Sequence, residues 1–157
     1  MDISGVTVIP FEYLFFDTNV SDDAICFGIL EEDTRRARWG FINLSNRVII
    51  PPLFYGVGRF YKGIAPVSKD GEKFGIIDKE GKYILDEQYE SIQSFQSDRA
   101  VFKQNGLFGF LDTTGKVVIA AQFSSAKSFD GELALISKNG IEGYVTKNGV
   151  IYLSSSY

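Results

Sequence analysis

The feature that most limits what this chain can fold into is a five-residue phrase that keeps returning. Trp39-Gly40-Phe41-Ile42-Asn43 comes back as Phe74-Gly75-Ile76-Ile77-Asp78 and as Phe108-Gly109-Phe110-Leu111-Asp112, then in altered form as Glu142-Gly143-Tyr144-Val145-Thr146. Its glycines at 40, 75, 109 and 143 are spaced by 35, 34 and 34 residues. A fixed period of this size means stacked units, each of which buries its apolar faces against its neighbours. After each phrase comes a turn and a β-type run: Arg47-Val48-Ile49-Ile50, Lys82-Tyr83-Ile84-Leu85, Lys116-Val117-Val118-Ile119 and Val150-Ile151-Tyr152-Leu153. Before each comes another such run, at Ala24-Ile25-Cys26-Phe27, Ile64-Ala65-Pro66-Val67, Arg99-Ala100-Val101-Phe102 and Leu133-Ala134-Leu135-Ile136. No stretch holds a helical period, so the class is all-β.

The expected architecture is a single domain over residues 1–157, a repeat array of about four three-stranded antiparallel units. They cover 24–51, 64–86, 99–120 and 133–153, after a partial repeat over 6–23 in which Val6-Thr7-Val8-Ile9-Pro10 matches Val48-Ile49-Ile50-Pro51. The array is a curved sheet stack or a propeller-like ring, and the sequence leaves closure open. Irregular crossings join the units, with aromatics recurring at Phe54, Tyr89 and Phe123 and at Phe60, Phe95 and Phe129.

Turn chemistry supplies a register. Asp78-Lys79-Glu80-Gly81 and Asp112-Thr113-Thr114-Gly115 fit three-residue hairpin loops closed by a left-handed glycine, with Asn46 taking that place in the first copy. Asp78 and Asp112 are read as side chains that bond the turn's own backbone, not as a catalytic pair. Counting back from these loops sets Gly40 opposite Ile50, Gly75 opposite Leu85, Gly109 opposite Ile119 and Gly143 opposite Leu153. The glycine would then make room for a bulky aliphatic. Asn105-Gly106 and Asn139-Gly140 are type I′ dipeptides. Glu142, standing where the other copies have an aromatic, is expected to be more exposed than Trp39, Phe74 or Phe108, as a terminal unit requires.

Taken together, aromatic-Gly-Phe/Ile-Ile-Asp, x-x-Gly-Lys, Val-Ile-Pro and the spaced aromatic, Phe and Leu-Ala resemble the WG-repeat family of bacterial β-repeat proteins. The likeness runs over residues 24–153. Only Trp39 keeps the tryptophan, and the proline survives only at Pro10 and Pro51. The resemblance implies a β-repeat binding scaffold and transfers no catalytic residues.

Charge and composition narrow the function. Residues 1–34 hold eight acidic and no basic side chains, whereas the remaining 123 hold 16 basic and 12 acidic ones. An acidic end repels phosphate and favours a basic protein partner over nucleic acid. The chain has no histidine, which removes the commonest general base and the usual zinc ligand. Its single cysteine, Cys26, reads as a small core residue. Glycines at repeat spacing form no phosphate loop. No catalytic, metal or cofactor residue is expected. The first sixteen residues lack the basic and long apolar parts of a leader or span, so the chain is read as cytoplasmic, with no membrane partner.

One segment falls outside the repeat: Glu31-Glu32-Asp33-Thr34-Arg35-Arg36-Ala37-Arg38. Pairing Phe27 with Trp39 sets Gly28 opposite Arg38 and Leu30 opposite Arg36, with Glu31 facing Arg35 across a three-residue loop. The hairpin should project beyond its sisters by roughly 10 Å. Glu31, Glu32, Asp33, Arg35, Arg36 and Arg38 are therefore the candidate contact residues. Tyr55, Arg59 and Tyr61 join them, because Tyr and Arg are the types enriched at binding hot spots and the equivalent crossings lack them. The expected function is that of a non-enzymatic protein-binding module, an immunity or antitoxin-type inhibitor that occludes a basic toxin domain. A carbohydrate or cell-envelope ligand is the alternative.

Overall fold

The computed structural model describes residues 15–16 and 20–154. Among these there is no helix, and sixteen strands form four antiparallel sheets of four strands each. Sheet 1 contains β1 (Phe15–Phe16), β2 (Ala24–Leu30), β3 (Ala37–Asn43) and β4 (Val48–Phe54). Sheet 2 contains β5 (Gly56–Val57), β6 (Ile64–Ser68), β7 (Phe74–Asp78) and β8 (Tyr83–Tyr89). Sheet 3 contains β9 (Ser91–Ile92), β10 (Arg99–Gln104), β11 (Leu107–Asp112) and β12 (Val117–Phe123). Sheet 4 contains β13 (Ser125–Ala126), β14 (Leu133–Lys138), β15 (Ile141–Thr146) and β16 (Ile151–Leu153). The match to a third strand at Val6-Thr7-Val8-Ile9-Pro10 lies outside the described residues.

Each sheet thus has the three expected strands and a two-residue fourth. The crossings are less irregular than the sequence implied. β4 runs into β5 through Tyr55 alone, β8 into β9 through Glu90, and β12 into β13 through Ser124. The amides of these three joints donate to Ser68, Lys103 and Ser137 carbonyls at 2.9, 3.0 and 2.8 Å, so the ladder continues across the bend. Four-stranded meanders following one another in this way make a propeller-like array.

The core lies between successive sheets. Phe41, Ile50, Phe54 and Phe60 of the first turn of chain meet Ala65, Val67 and Ile77 of sheet 2. The same contact recurs with Ile76, Tyr89 and Phe95 against Ala100, Phe102 and Leu111. It recurs again with Phe110, Ile119, Phe123 and Phe129 against Ala134, Ile136 and Val145.

The turns form as their chemistry requires. The Asp78 carboxylate accepts from the amides of Glu80 and Lys82 at 3.0 and 2.8 Å, and that of Asp112 from Thr114 and Lys116 at 2.9 and 3.1 Å. Asn43 does the same for Ser45 and Arg47 at 3.0 and 2.9 Å. Asn105 and Gly106 have φ of 51° and 78°, as a type I′ turn needs.

The expected glycine register holds only in sheet 4, where Gly143 faces Leu153. Elsewhere it is off by one: Phe41 pairs with Ile50, Ile76 with Leu85 and Phe110 with Ile119. β4, β8 and β12 each carry extra residues that bulge. In sheets 1, 2 and 3 the glycine therefore accommodates the bulged backbone and not an aliphatic side chain: a Cβ on Gly109 would lie 2.5 Å from the Ile119 carbonyl oxygen. The repeated aromatic is likewise less central than a core plug. Trp39, Phe74 and Phe108 are half-buried, with the Trp39 ring against Gly28 and the Phe74 ring against Gly56. Glu142 is exposed, more so than all three, as expected of a terminal unit.

Candidate functional site: the charged hairpin and the Tyr55 joint

The β2–β3 hairpin departs from its predicted register by one residue. Phe27 faces Gly40, Gly28 faces Trp39 and Ile29 faces Arg38. The cause is the loop, which uses four residues instead of three. The Glu31 amide donates to the Arg36 carbonyl at 2.9 Å and the Arg35 amide to the Glu31 carbonyl at 3.0 Å, with Arg35 left-handed at φ 53°. A one-residue slip exchanges the faces of a strand. Here it brings Glu31 to the face that carries Arg36 and Arg38, where the predicted pairing had set it with Arg35.

The hairpin is also shorter and better anchored than expected. Its ladder has seven residue pairs against six in the β10–β11 and β14–β15 hairpins. With the Glu31–Arg36 pair this adds about two residue steps, or about 7 Å, in place of the expected 10 Å.

Tyr55, the joint between β4 and β5, is where the anchoring converges. Its hydroxyl donates to a Glu31 carboxylate oxygen at 2.8 Å and accepts from an Arg38 Nη at 3.0 Å. Thr34 Oγ1 donates to that same Glu31 oxygen at 2.8 Å, and Arg38 Nε donates to the other. A second Arg38 Nη reaches the Leu53 carbonyl at 3.0 Å. The guanidinium carbons of Arg36 and Arg38 lie 3.9 and 4.3 Å from the Tyr55 ring centroid, at cation–π distance. Arg36 also reaches the Asp70 carbonyl in the β6–β7 hairpin at 3.4 Å. Hydrogen bonds from Arg38, Tyr55 and Thr34, in that order, hold the Glu31 carboxyl down at about 2 from its ordinary 4.5. Glu31 in turn raises Arg38. A carboxylate so committed braces the hairpin.

Beside the brace lies an open slot of about 350 Å³ lined by Cys26, Trp39, Tyr55, Gly56 and Val57. Glu32, Asp33 and Arg35 stand exposed on the loop above. Four of the nine sequence candidates (Glu31, Arg36, Arg38 and Tyr55) therefore form one cluster, and three more form its charged tip. Arg59 and Tyr61 do not join them. They line a separate groove of about 400 Å³ with Gln93, Ser94, Gln96 and Ser128. There the Tyr61 hydroxyl donates to Asp98 at 3.0 Å and the Arg59 amide to Ser94 Oγ at 3.0 Å. Sequence reasoning missed Thr34, Asp70 and the slot. Of these, only Thr34, a hydroxyl three residues after Glu31, left a local signal.

Among the described residues no group of three potential metal ligands occurs, and no helix is long and apolar enough to cross a membrane. No curated protein matches the chain. The crystal structure of HIRA(644-1017) is similar in fold, with a TM-score of 0.53 and 8% identity over 88% of this chain. The match takes in 52% of that chain, about half its length. The family model described as WG containing repeat matches residues 39–72, 74–108 and 108–140, more than half of the sequence. Its matched segments begin at Trp39, at Phe74 and at Phe108, the aromatics that open the repeated phrase, and this chain belongs to the WG-repeat family.

Proposed function

We propose that this chain is a non-enzymatic protein-binding module of the immunity or antitoxin kind, which neutralises a basic toxin domain by covering it. The observation that carries the reading is the pre-organised surface at the Tyr55 joint. A loop bearing Glu32, Asp33 and Arg35 is held by the Glu31–Arg38–Tyr55 brace above a slot with Trp39 and Val57 in its wall. Rigid aromatic and arginine groups beside a recess are the composition of binding hot spots, and ordering them before encounter lowers the entropy lost on binding. The eight acidic residues among the first 34, with Glu32 and Asp33 exposed on the loop itself, favour a basic partner.

The test is a titration of the purified chain against the product of the neighbouring gene. Glu32→Lys with Arg35→Glu should weaken binding by about tenfold or more without changing the fold, and affinity should fall with rising salt. Unchanged binding by the double variant would place the interface elsewhere, and salt independence would remove the steering role of the acidic end.

A second reading, a carbohydrate or cell-envelope ligand, is favoured by the groove beside Arg59. Its Gln93, Ser94, Gln96 and Ser128 side chains offer both donors and acceptors to a polyhydroxylated molecule. Saturable binding of an oligosaccharide that Gln96→Ala abolishes would support it.

A further inference from the structure

The face by which each sheet packs on the next is exposed on sheet 4 among the described residues. At the position after the repeated glycine, Phe41, Ile76 and Phe110 are 1%, 0% and 0% exposed, each buried against the following sheet. Tyr144 occupies the same position in the last copy and is 50% exposed. β16 lacks the bulge of β4, β8 and β12, so Tyr152 pairs directly with Tyr144 and is 59% exposed. Leu133 and Leu135 lie on the same face by strand alternation, and Leu133 is 43% exposed. The result is an aromatic and aliphatic patch with Glu142 at its rim.

We propose that this patch is the interface of a homodimer, in which sheet 4 of one copy packs face to face on sheet 4 of another. The molecule already shows three times what covers this face: another antiparallel sheet of the same family. A head-to-tail arrangement would need the opposite face of sheet 1, but Phe27 and Ile42 there are 1% and 0% exposed and so are already covered. With its complement on sheet 1 already buried, this exposed face meets its own copy, which gives a closed two-fold dimer and no filament. The area fits a weak dimer: two half-exposed tyrosines, two leucines and the polar residues between them bury roughly 500 Å² per copy, about 1,000 Å² in all. This sits at the low end of specific interfaces, where association is of micromolar strength and depends on concentration. The inference is independent of the Tyr55 joint.

Sedimentation equilibrium of the full chain from about 1 to about 500 µM tests it, a range that brackets micromolar association. The mass should rise from one copy to two and stop there. Tyr152→Lys on the edge strand and Tyr144→Ser should each remain a single copy throughout, with an unchanged circular dichroism spectrum. Val48→Lys, an equally exposed apolar position on sheet 1, should dimerise like the native chain. If Tyr144→Ser unfolds, Tyr152→Lys still decides. A native chain that stays single across the range, one that grows beyond two copies, or a Tyr152→Lys variant that dimerises normally would overturn the proposal.

Discussion

Replacing Gly109 with alanine adds one methyl group where the backbone of β12 already stands. The new Cβ would lie 2.5 Å from the Ile119 carbonyl oxygen, 2.8 Å from the Ala121 nitrogen and 2.7 Å from the Phe102 ring. Comfortable contacts are about 3.5 Å, so the bulged segment has to retreat by roughly 0.5–1 Å. Two effects oppose each other. Alanine in a strand interior is better than glycine by about 0.5–1 kcal/mol. Overpacking costs about 1–3 kcal/mol, and each ladder hydrogen bond lost as the bulge shifts about 1 kcal/mol more. The steric side wins, with a net loss of about 2–3 kcal/mol. In a domain of this size that lowers the melting temperature by roughly 5–10 °C. Urea unfolding followed by circular dichroism measures it, with the slope unchanged. Gly28→Ala is the control, because the atoms nearest its Cβ would be those of the Trp39 ring, at 3.0 Å, and a half-buried ring can yield. A Gly109→Ala variant within about 0.5 kcal/mol of the native chain, or no worse than Gly28→Ala, would refute the claim that this glycine exists to let the bulge approach.

The brace at the joint predicts a pH dependence. Glu31 titrates at about 2 when folded against an ordinary 4.5, so its bonds to Arg38 and Tyr55 stabilise fully above pH 4.5 and fade as pH falls through about 2. The difference in urea midpoint between the native chain and Glu31→Gln should be constant above that window and shrink within it; a difference that persists at pH 2 would show that the brace is not ionic. In the β7–β8 turn, Asp78→Ala removes two acceptor bonds and should cost about 1–2 kcal/mol. Asp78→Asn, the residue type that does the same work at Asn43, should cost under about 0.5 kcal/mol, and equal effects would mean that charge and not turn bonding matters there.

What could be read in advance was whatever depends on residues close in sequence. The Asn-Gly dipeptides, the Asp turn residues and the left-handed Asn46 each state their own conformation, and the period multiplies that information. Registers were lost where one residue more or less is decided by packing. Nothing local says that Ile49 is the extra residue opposite the Phe41–Ile42 step, or that Arg35 turns left-handed and lengthens its loop to four. The two-residue strands carry too little pattern to be seen. The brace was half legible. Its charged members were singled out by their departure from the repeat, but their meeting at Tyr55 depends on a register that the sequence leaves open. Tyr144 escaped notice for a different reason: a tyrosine among phenylalanine and isoleucine equivalents looks like one more core residue, and only its exposure in the fold sets it apart.

The one-residue joints have a mechanical meaning. Within each antiparallel meander of four strands, the chain enters and leaves at the same end of the sheet. Tension applied along the polypeptide therefore reaches the hydrogen bonds one after another, as in a zipper, and does not load a whole ladder in shear. Each joint passes that tension directly to the next sheet, with no slack loop to absorb it. The strand order thus makes the array weak against being drawn out lengthwise, yielding in steps of one sheet at a time.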